Sequence, residues 1–184
     1  VNGWAVDAGI PQSENNRLAA AWFDQALGRS LRQIAEEFRS YRNSEAFKEA
    51  YRLFWDDFSG LYLEMVKPAY GQPIDAATLE ATKGYFDALM RVLHPFMPFV
   101  TEEIWQALAP RAEGASICVA PMPEPCQADE TLLARFELAK EVISSVRNIR
   151  NQKNLPQKEE LTLRVIADEN YPAEFAPVVM KMAN

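Results

Sequence analysis

The chain has 184 residues, which at roughly 100 to 200 residues per domain leaves room for one domain, or one with a small appendage. With 48% hydrophobic, 24% charged and 11% aromatic residues, it has the composition of a packed globular chain, which excludes disorder, collagen and a disulfide scaffold. The 19 Lys+Arg against 26 Asp+Glu give a formal charge of -7, so the surface as a whole does not grip nucleic acid or anionic lipid, although a local basic patch is compatible with it.

Cys118 and Cys126 are too few for a disulfide framework, and with His94 as the single histidine they cannot make a tetrahedral zinc site. We expect free thiols in a reducing compartment. No basic-then-apolar leader opens the sequence and no apolar run approaches a membrane span, so a cytoplasmic location is expected. The chain starts without Met and ends inside an apolar pattern, as a piece of a longer protein would.

In chain order, Leu18, Trp22, Leu27, Leu31, Ile34, Phe38 and Tyr41 repeat at helical spacing and predict a long first helix. Ser44 is the candidate N-cap of a second, whose face reads Phe47, Tyr51, Phe54, Phe58, Leu61 and Met65 up to Lys67-Pro68. So short a connection predicts an antiparallel hairpin. Asp75 is the candidate cap of a third helix carrying Leu79, Phe86, Leu89, Met90 and Leu93 and ending before Pro95 and Pro98. Thr101 is the candidate cap of a short helix through Leu108. Another long helix should begin at Asp129 and bury Leu132, Phe136, Ala139, Ile143 and Val146.

Ser116 to Ala120 and the alternating Leu161 to Ile166 read as strands. With the helix between them they suggest a small mixed subdomain, cut short, in which Phe175, Val178, Val179 and Met182 form a stripe with nothing left to pack on. The fold class expected is therefore mainly α: an antiparallel helix bundle over residues 1–112, followed by a truncated α/β subdomain over 113–184. The helix at 130–150 has the option of packing on the bundle.

Catalytic signatures are missing: there is no Gly-rich phosphate loop, Gly-x-Ser-x-Gly, His-Glu-x-x-His or Cys-x-x-Cys. The adjacent pairs Asp56-Asp57 and Glu102-Glu103 diverge around a helix rather than converge. His94 suits the negative end of a helix dipole, and the aromatic excess suits a core. Positive charge, however, is clustered. Lys140, Arg147, Arg150, Lys153 and Lys158 stand against Glu141 alone, interleaved with Asn148, Asn151 and Asn154. Either a solvated helix face or a few contacts to a phosphate backbone accounts for such a cluster.

The string His94-Pro95-Phe96-Met97-Pro98-Phe99-Val100-Thr101-Glu102-Glu103-Ile104-Trp105 resembles the signature of the anticodon-binding helix bundle of class I aminoacyl-tRNA synthetases of the valine, isoleucine and leucine group. It is most similar to the valyl family. Phe54-Trp55-Asp56-Asp57-Phe58 leading to Tyr62-Leu63-Glu64 and Lys67-Pro68, then Ala120-Pro121-Met122-Pro123-Glu124, then Val146-Arg147-Asn148-Ile149-Arg150 with Leu155-Pro156 match it in order. Met122 departs from the Trp expected there.

The resemblance implies a module that recognises the anticodon of a valine tRNA and positions it for a catalytic domain of the same polypeptide. ATP and Mg would be used by that domain; no cofactor, metal or catalytic residue is expected in this chain, because the family's His-x-Gly-His and Lys-Met-Ser-Lys-Ser motifs are absent. It also implies that Leu63 and Lys67 lie at the anticodon end.

An antiparallel hairpin would bring Asn15, Asn16 and Arg17 beside Leu63, Lys67 and Tyr70, and would gather Arg39, Arg42, Asn43, Arg91 and His94 at the opposite end. The candidate tRNA-binding residues are Asn16, Arg17, Leu63, Lys67, Tyr70, Arg147, Arg150 and Lys153. The alternative function is a helical protein-interaction module that binds no RNA.

Overall fold

The computed structural model describes residues 4–156, 159, 161–164 and 171–183. The fold is mainly α. Helix α1 (Glu14–Arg39) opens where the Ser13 hydroxyl accepts the Asn16 N–H at 3.1 Å, and buries Trp22, Phe23, Leu31 and Ile34. It ends before Tyr41, which takes a positive φ of 57° and stands in solvent. Tyr41 therefore belongs to the turn and not to the helical face expected for it.

A single rod returns antiparallel to α1. It comprises α2 (Asn43–Arg52), a π-helix (Leu53–Tyr62) and α3 (Leu63–Val66), and the residues at both junctions keep right-handed helical dihedrals. Ser44 is not its cap: the helix starts one residue earlier, without a side-chain cap. The wider i→i+5 turn of the π segment changes the phase of the rod. The buried positions become Ala46, Ala50, Leu53, Asp57, Phe58, Tyr62, Met65 and Val66. Phe47 and Tyr51 of the expected face are exposed, together with Trp55.

Helix α4 (Ala76–Leu93) is capped by Asp75 as the sequence indicates, its Oδ1 accepting the Thr78 N–H at 2.8 Å. Helix α5 (Pro98–Leu108) begins with Pro98 in its first turn, which suits the residue because the first N–H groups lack intrahelical partners. Thr101 is not the cap. It lies inside the helix, buried, with its hydroxyl donating to the Met97 carbonyl at 2.8 Å.

Helix α6 (Glu130–Gln152) starts at the Asp129 cap and lies on α1, where Phe136 stacks on Trp22 at 4.2 Å between ring centroids. The connection to it crosses α1 at Gly28. A Cβ there would collide with Cys126 Sγ, so the small residue permits the crossing.

Two strand assignments from the sequence need correction. Ser116 to Ala120 holds a 3-10 turn, Ile117–Val119, because local partners replace a ladder: the Ser116 hydroxyl accepts the Cys118 N–H, and Glu102 accepts from Ser116 Oγ and the Ile117 N–H. Residues 161–164 carry no strand, and 165 and 166 lie outside the described residues. The strand pairing that occurs among the described residues is a parallel two-residue contact of β1 (Val6–Asp7) with β2 (Ile74–Asp75), too short to show as alternation.

The terminal stripe is also not left unpartnered. After a 3-10 turn (Ala173–Phe175), α7 (Ala176–Met182) contacts α1, α3 and α6. Phe175 meets Phe136 edge-on at 5.2 Å, and Val178, Val179 and Met182 are buried in the core that also holds Trp22 and Met65.

Candidate nucleic-acid interface

The end of the bundle where α3 stops is fixed by polar groups. Asn15 Nδ2 donates to the Met65 carbonyl at 2.7 Å and ties the start of α1 to the end of α3. Asn16 Nδ2 donates to Asp75 Oδ2 at 3.1 Å, joining α1 to the cap of α4. Burial pushes the Asp75 carboxyl up, but the hydrogen bonds from Thr78 and Asn16 outweigh it and hold the group below the usual Asp value. The Ile74 N–H donates to the Ala5 carbonyl at 2.8 Å and brings the N-terminal segment alongside.

On this frame sits the turn after α3. Pro68 disfavours helical geometry in the residue before it, and Lys67 accordingly leaves the helix with ψ 132°. Gln72 N–H closes a turn onto the Ala69 carbonyl at 2.9 Å. Gly71 supplies the positive φ of 75° that the third position of a type II turn requires. Tyr70, at the second position, is thereby pushed wholly into solvent, with an exposure of 105%. Trp4, Lys67, Pro68, Tyr70 and Gln72 line an open depression of about 580 Å³.

One cation of the α6 cluster, Arg147, reaches the same end through α7, while Lys158 lies outside the described residues. Lys181 Nζ donates to the Lys67 carbonyl at 2.8 Å, and Arg147 Nε donates to the Met182 carbonyl at 2.9 Å. Burial, and then the nearby Lys67 charge, lower the Lys181 ammonium from its ordinary value. Among the described residues neither Arg147 nor Lys181 has a carboxylate within ion-pair distance.

The eight candidates thus separate by environment. Arg17, Lys67, Tyr70, Arg147 and Lys153 are exposed; Arg17 is 3.8 Å from Glu14, and Lys67 pairs with Glu64. Leu63 is half-buried against the core. Asn16 and Arg150 are buried. Arg150 donates to the Pro156 and Glu159 carbonyls at 3.0 and 2.8 Å, holding the chain that follows α6, as Asn16 holds Asp75. Sequence reasoning missed Trp4 and Lys181. Lys181 was concealed because the helix bearing it seemed to have nothing to pack on.

Residues 20–167 match the family model described as the anticodon-binding domain of tRNA ligase. The chain belongs to that family. It is 52% identical over its whole length to a valine-tRNA ligase of Parabacteroides distasonis and 50% identical to that of Phocaeicola vulgatus. A valine-tRNA ligase of Bacillus subtilis is 33% identical over 92% of the chain. In each case the chain spans 21% of the relative, so this anticodon-binding domain is about a fifth of the length of the curated relatives it matches.

The far end of the domain is built differently. Phe38 stacks on Phe96 at 5.8 Å and Phe47 meets Phe96 at 5.1 Å. From there Phe47, Tyr51 and Trp55 form an exposed ladder, with Tyr51 and Trp55 stacked at 6.2 Å. The cations at this end are neutralised locally: Arg42 by Glu37 at 2.6 Å, Arg39 by Glu36 at 3.6 Å and Arg91 by Asp87 at 2.7 Å. No helix among the described residues is long and apolar enough to cross a membrane.

Proposed function

We propose that the chain is the anticodon-reading arm of a valine-tRNA ligase and holds the anticodon loop of a valine tRNA at the α3 end. The observation that carries this reading is the turn at Tyr70: a fully exposed ring over an open depression, beside Lys67 and within reach of cations that no described carboxylate neutralises. Single-stranded loop bases are read by stacking and edge contacts, and one base on one ring is worth about 1–3 kcal/mol. Tyr70 and Trp4 would supply the stacking, Gln72 an edge contact, and Lys67, Arg17, Arg147 and Lys153 the phosphate contacts. Asn16 and Arg150 would position these groups without touching RNA, and Leu63 would line the base of the site.

The catalytic chemistry, with ATP and Mg, belongs in this reading to the remainder of the polypeptide, in the cytoplasm. The exposed ladder of Phe47, Tyr51 and Trp55 is the surface best suited to meet that remainder. This gives the protein-interaction reading a place at the ring-built end of the same molecule. The experiment is a titration of the chain with a labelled anticodon stem-loop of a valine tRNA across a salt series, since phosphate contacts weaken steeply with salt. Saturable binding that Tyr70→Ala weakens about tenfold supports the assignment; affinity indifferent to the loop sequence and to Tyr70 rejects it.

A further inference from the structure

The single histidine sits in an arrangement that the RNA-binding role does not use. His94 caps the C-terminus of α4, its N–H donating to the Met90 carbonyl at 3.0 Å. Its ring lies between two partners, with Nδ1 2.8 Å from Thr101 Oγ1 and Nε2 3.2 Å from Cys118 Sγ. The Thr101 hydroxyl has one proton, and that proton is directed to the Met97 carbonyl at 2.8 Å. Toward the ring Thr101 is therefore an acceptor, which assigns the imidazole proton to Nδ1 and leaves the lone pair of Nε2 facing the thiol.

Cys118 is held in place from the same helix that carries Thr101. Glu102 Oε2 accepts the Ser116 hydroxyl at 2.7 Å and the Ile117 N–H at 3.0 Å, and the Cys118 N–H donates to Ser116 Oγ at 3.2 Å. Cys118 itself is exposed.

We propose that Cys118 is a base-assisted nucleophile, with His94 as its general base and Thr101 as the positioning residue, and that it is a site of covalent modification by small soft carbon electrophiles. A nucleophile within hydrogen-bond reach of a base, the base in turn oriented by a third group, is the arrangement that activates thiols. In the step, Sγ attacks the electrophilic carbon. The S–C bond forms as the bond to the leaving group breaks, the leaving group departs with the electron pair, and the thiol proton passes to His94 Nε2 and then to water. Modification removes the S–H that bonds the His94 ring and so loosens the 3-10 turn from the α4–α5 junction.

Cys126 is the internal comparison, an exposed residue whose Sγ lies over Gly28, in a chain whose one histidine is already committed to Cys118, so the His94→Gln arm is the decisive one. The test is alkylation of the 184-residue chain by iodoacetamide at neutral pH, with rates at the two cysteines followed separately by peptide mass spectrometry. Cys118 is expected to react at least tenfold faster than Cys126. His94→Gln should bring it to the Cys126 rate while leaving Cys126 unchanged, Thr101→Val should slow it in part, and Thr101→Ser, which keeps the hydroxyl, should restore the wild-type rate. Equal rates at the two cysteines in the wild type would overturn the proposal, as would a Cys118 rate indifferent to His94→Gln in a variant whose Cys126 rate is unchanged.

Discussion

At the α3 end, short polar side chains hold the helices to one another: Asn15 to the Met65 carbonyl and Asn16 to Asp75. At the far end rings do it, Phe38 and Phe47 on Phe96. Hydrogen bonds are directional, so the first arrangement fixes Lys67 and Tyr70 relative to α1 and α4 within narrow limits, as the proposed base recognition requires. Ring contacts tolerate sliding, so the second suits a surface that meets another folded body. The charges follow the division in part, since Lys67 and Arg17 at the α3 end also lie beside Glu64 and Glu14. Arg39, Arg42 and Arg91 are neutralised by neighbouring acids, whereas Arg147 and Lys181 donate to carbonyls.

The core beneath both ends is shared, and breaking it should have the largest effect. Trp22→Ala removes a 2% exposed ring stacked on Phe136 and should cost about 3–5 kcal/mol in denaturant unfolding. It should also release α7, which reaches α1 partly through Phe136 and Phe175. Hydrogen exchange in the wild type should accordingly show α7 protected like α6; exchange as fast as in an open coil would refute the packing described for it.

Next in size is the polar lock. Asp75→Ala removes the α4 cap and leaves the buried Asn16 amide unpaired, which should cost about 2 kcal/mol. Because the Asp75 carboxyl is depressed in the folded state, its charge contributes stability at pH values above the ordinary Asp range. That contribution is lost as pH falls through the depressed value, and the variant should lack this part of the acid loss. Asp57, on the π segment, has the opposite sign. Burial raises its carboxyl even against its ion pair with Arg52 at 2.7 Å. The folded state therefore holds that proton more tightly, and stability falls as pH rises from the ordinary Asp value to the raised one. Asp57→Asn should remove this fall in pH-dependent unfolding.

The sequence carried the polar end better than the ring end, for a physical reason. A cap such as Asp75 or Asp129 is a local signal, and the hairpin that juxtaposes Asn16 with Lys67 follows from a short connection. The exposed ladder was misread as core because Phe47 and Tyr51 have the spacing of a buried α face. The following π turn shifts the phase, and no 3.6-residue pattern displays it. Ile117-Cys118-Val119 resembled a strand because its competing partner, Glu102, is fourteen residues away from Ser116. Lys181 was out of reach because its approach to Lys67 depends on packing across 114 residues.

Smaller effects would sharpen the contrast between the ends. Lys67→Ala should reduce the slope of log affinity against log salt by about 1 for a stem-loop RNA, the signature of one lost phosphate contact. Trp55→Ala should change the unfolding free energy by no more than about 0.5 kcal/mol, because an exposed ring removes little from the core.

The most direct test of the division of labour pairs one residue from each end in a single experiment. Tyr70→Ala and Arg42→Ala are titrated against the same anticodon stem-loop at one salt concentration. Tyr70→Ala should weaken binding by about 1–3 kcal/mol with its thermal midpoint unchanged, and Arg42→Ala should leave the affinity at the wild-type value. Equal losses from both variants, or a loss from Arg42→Ala alone, would contradict the placement of the RNA at the α3 end.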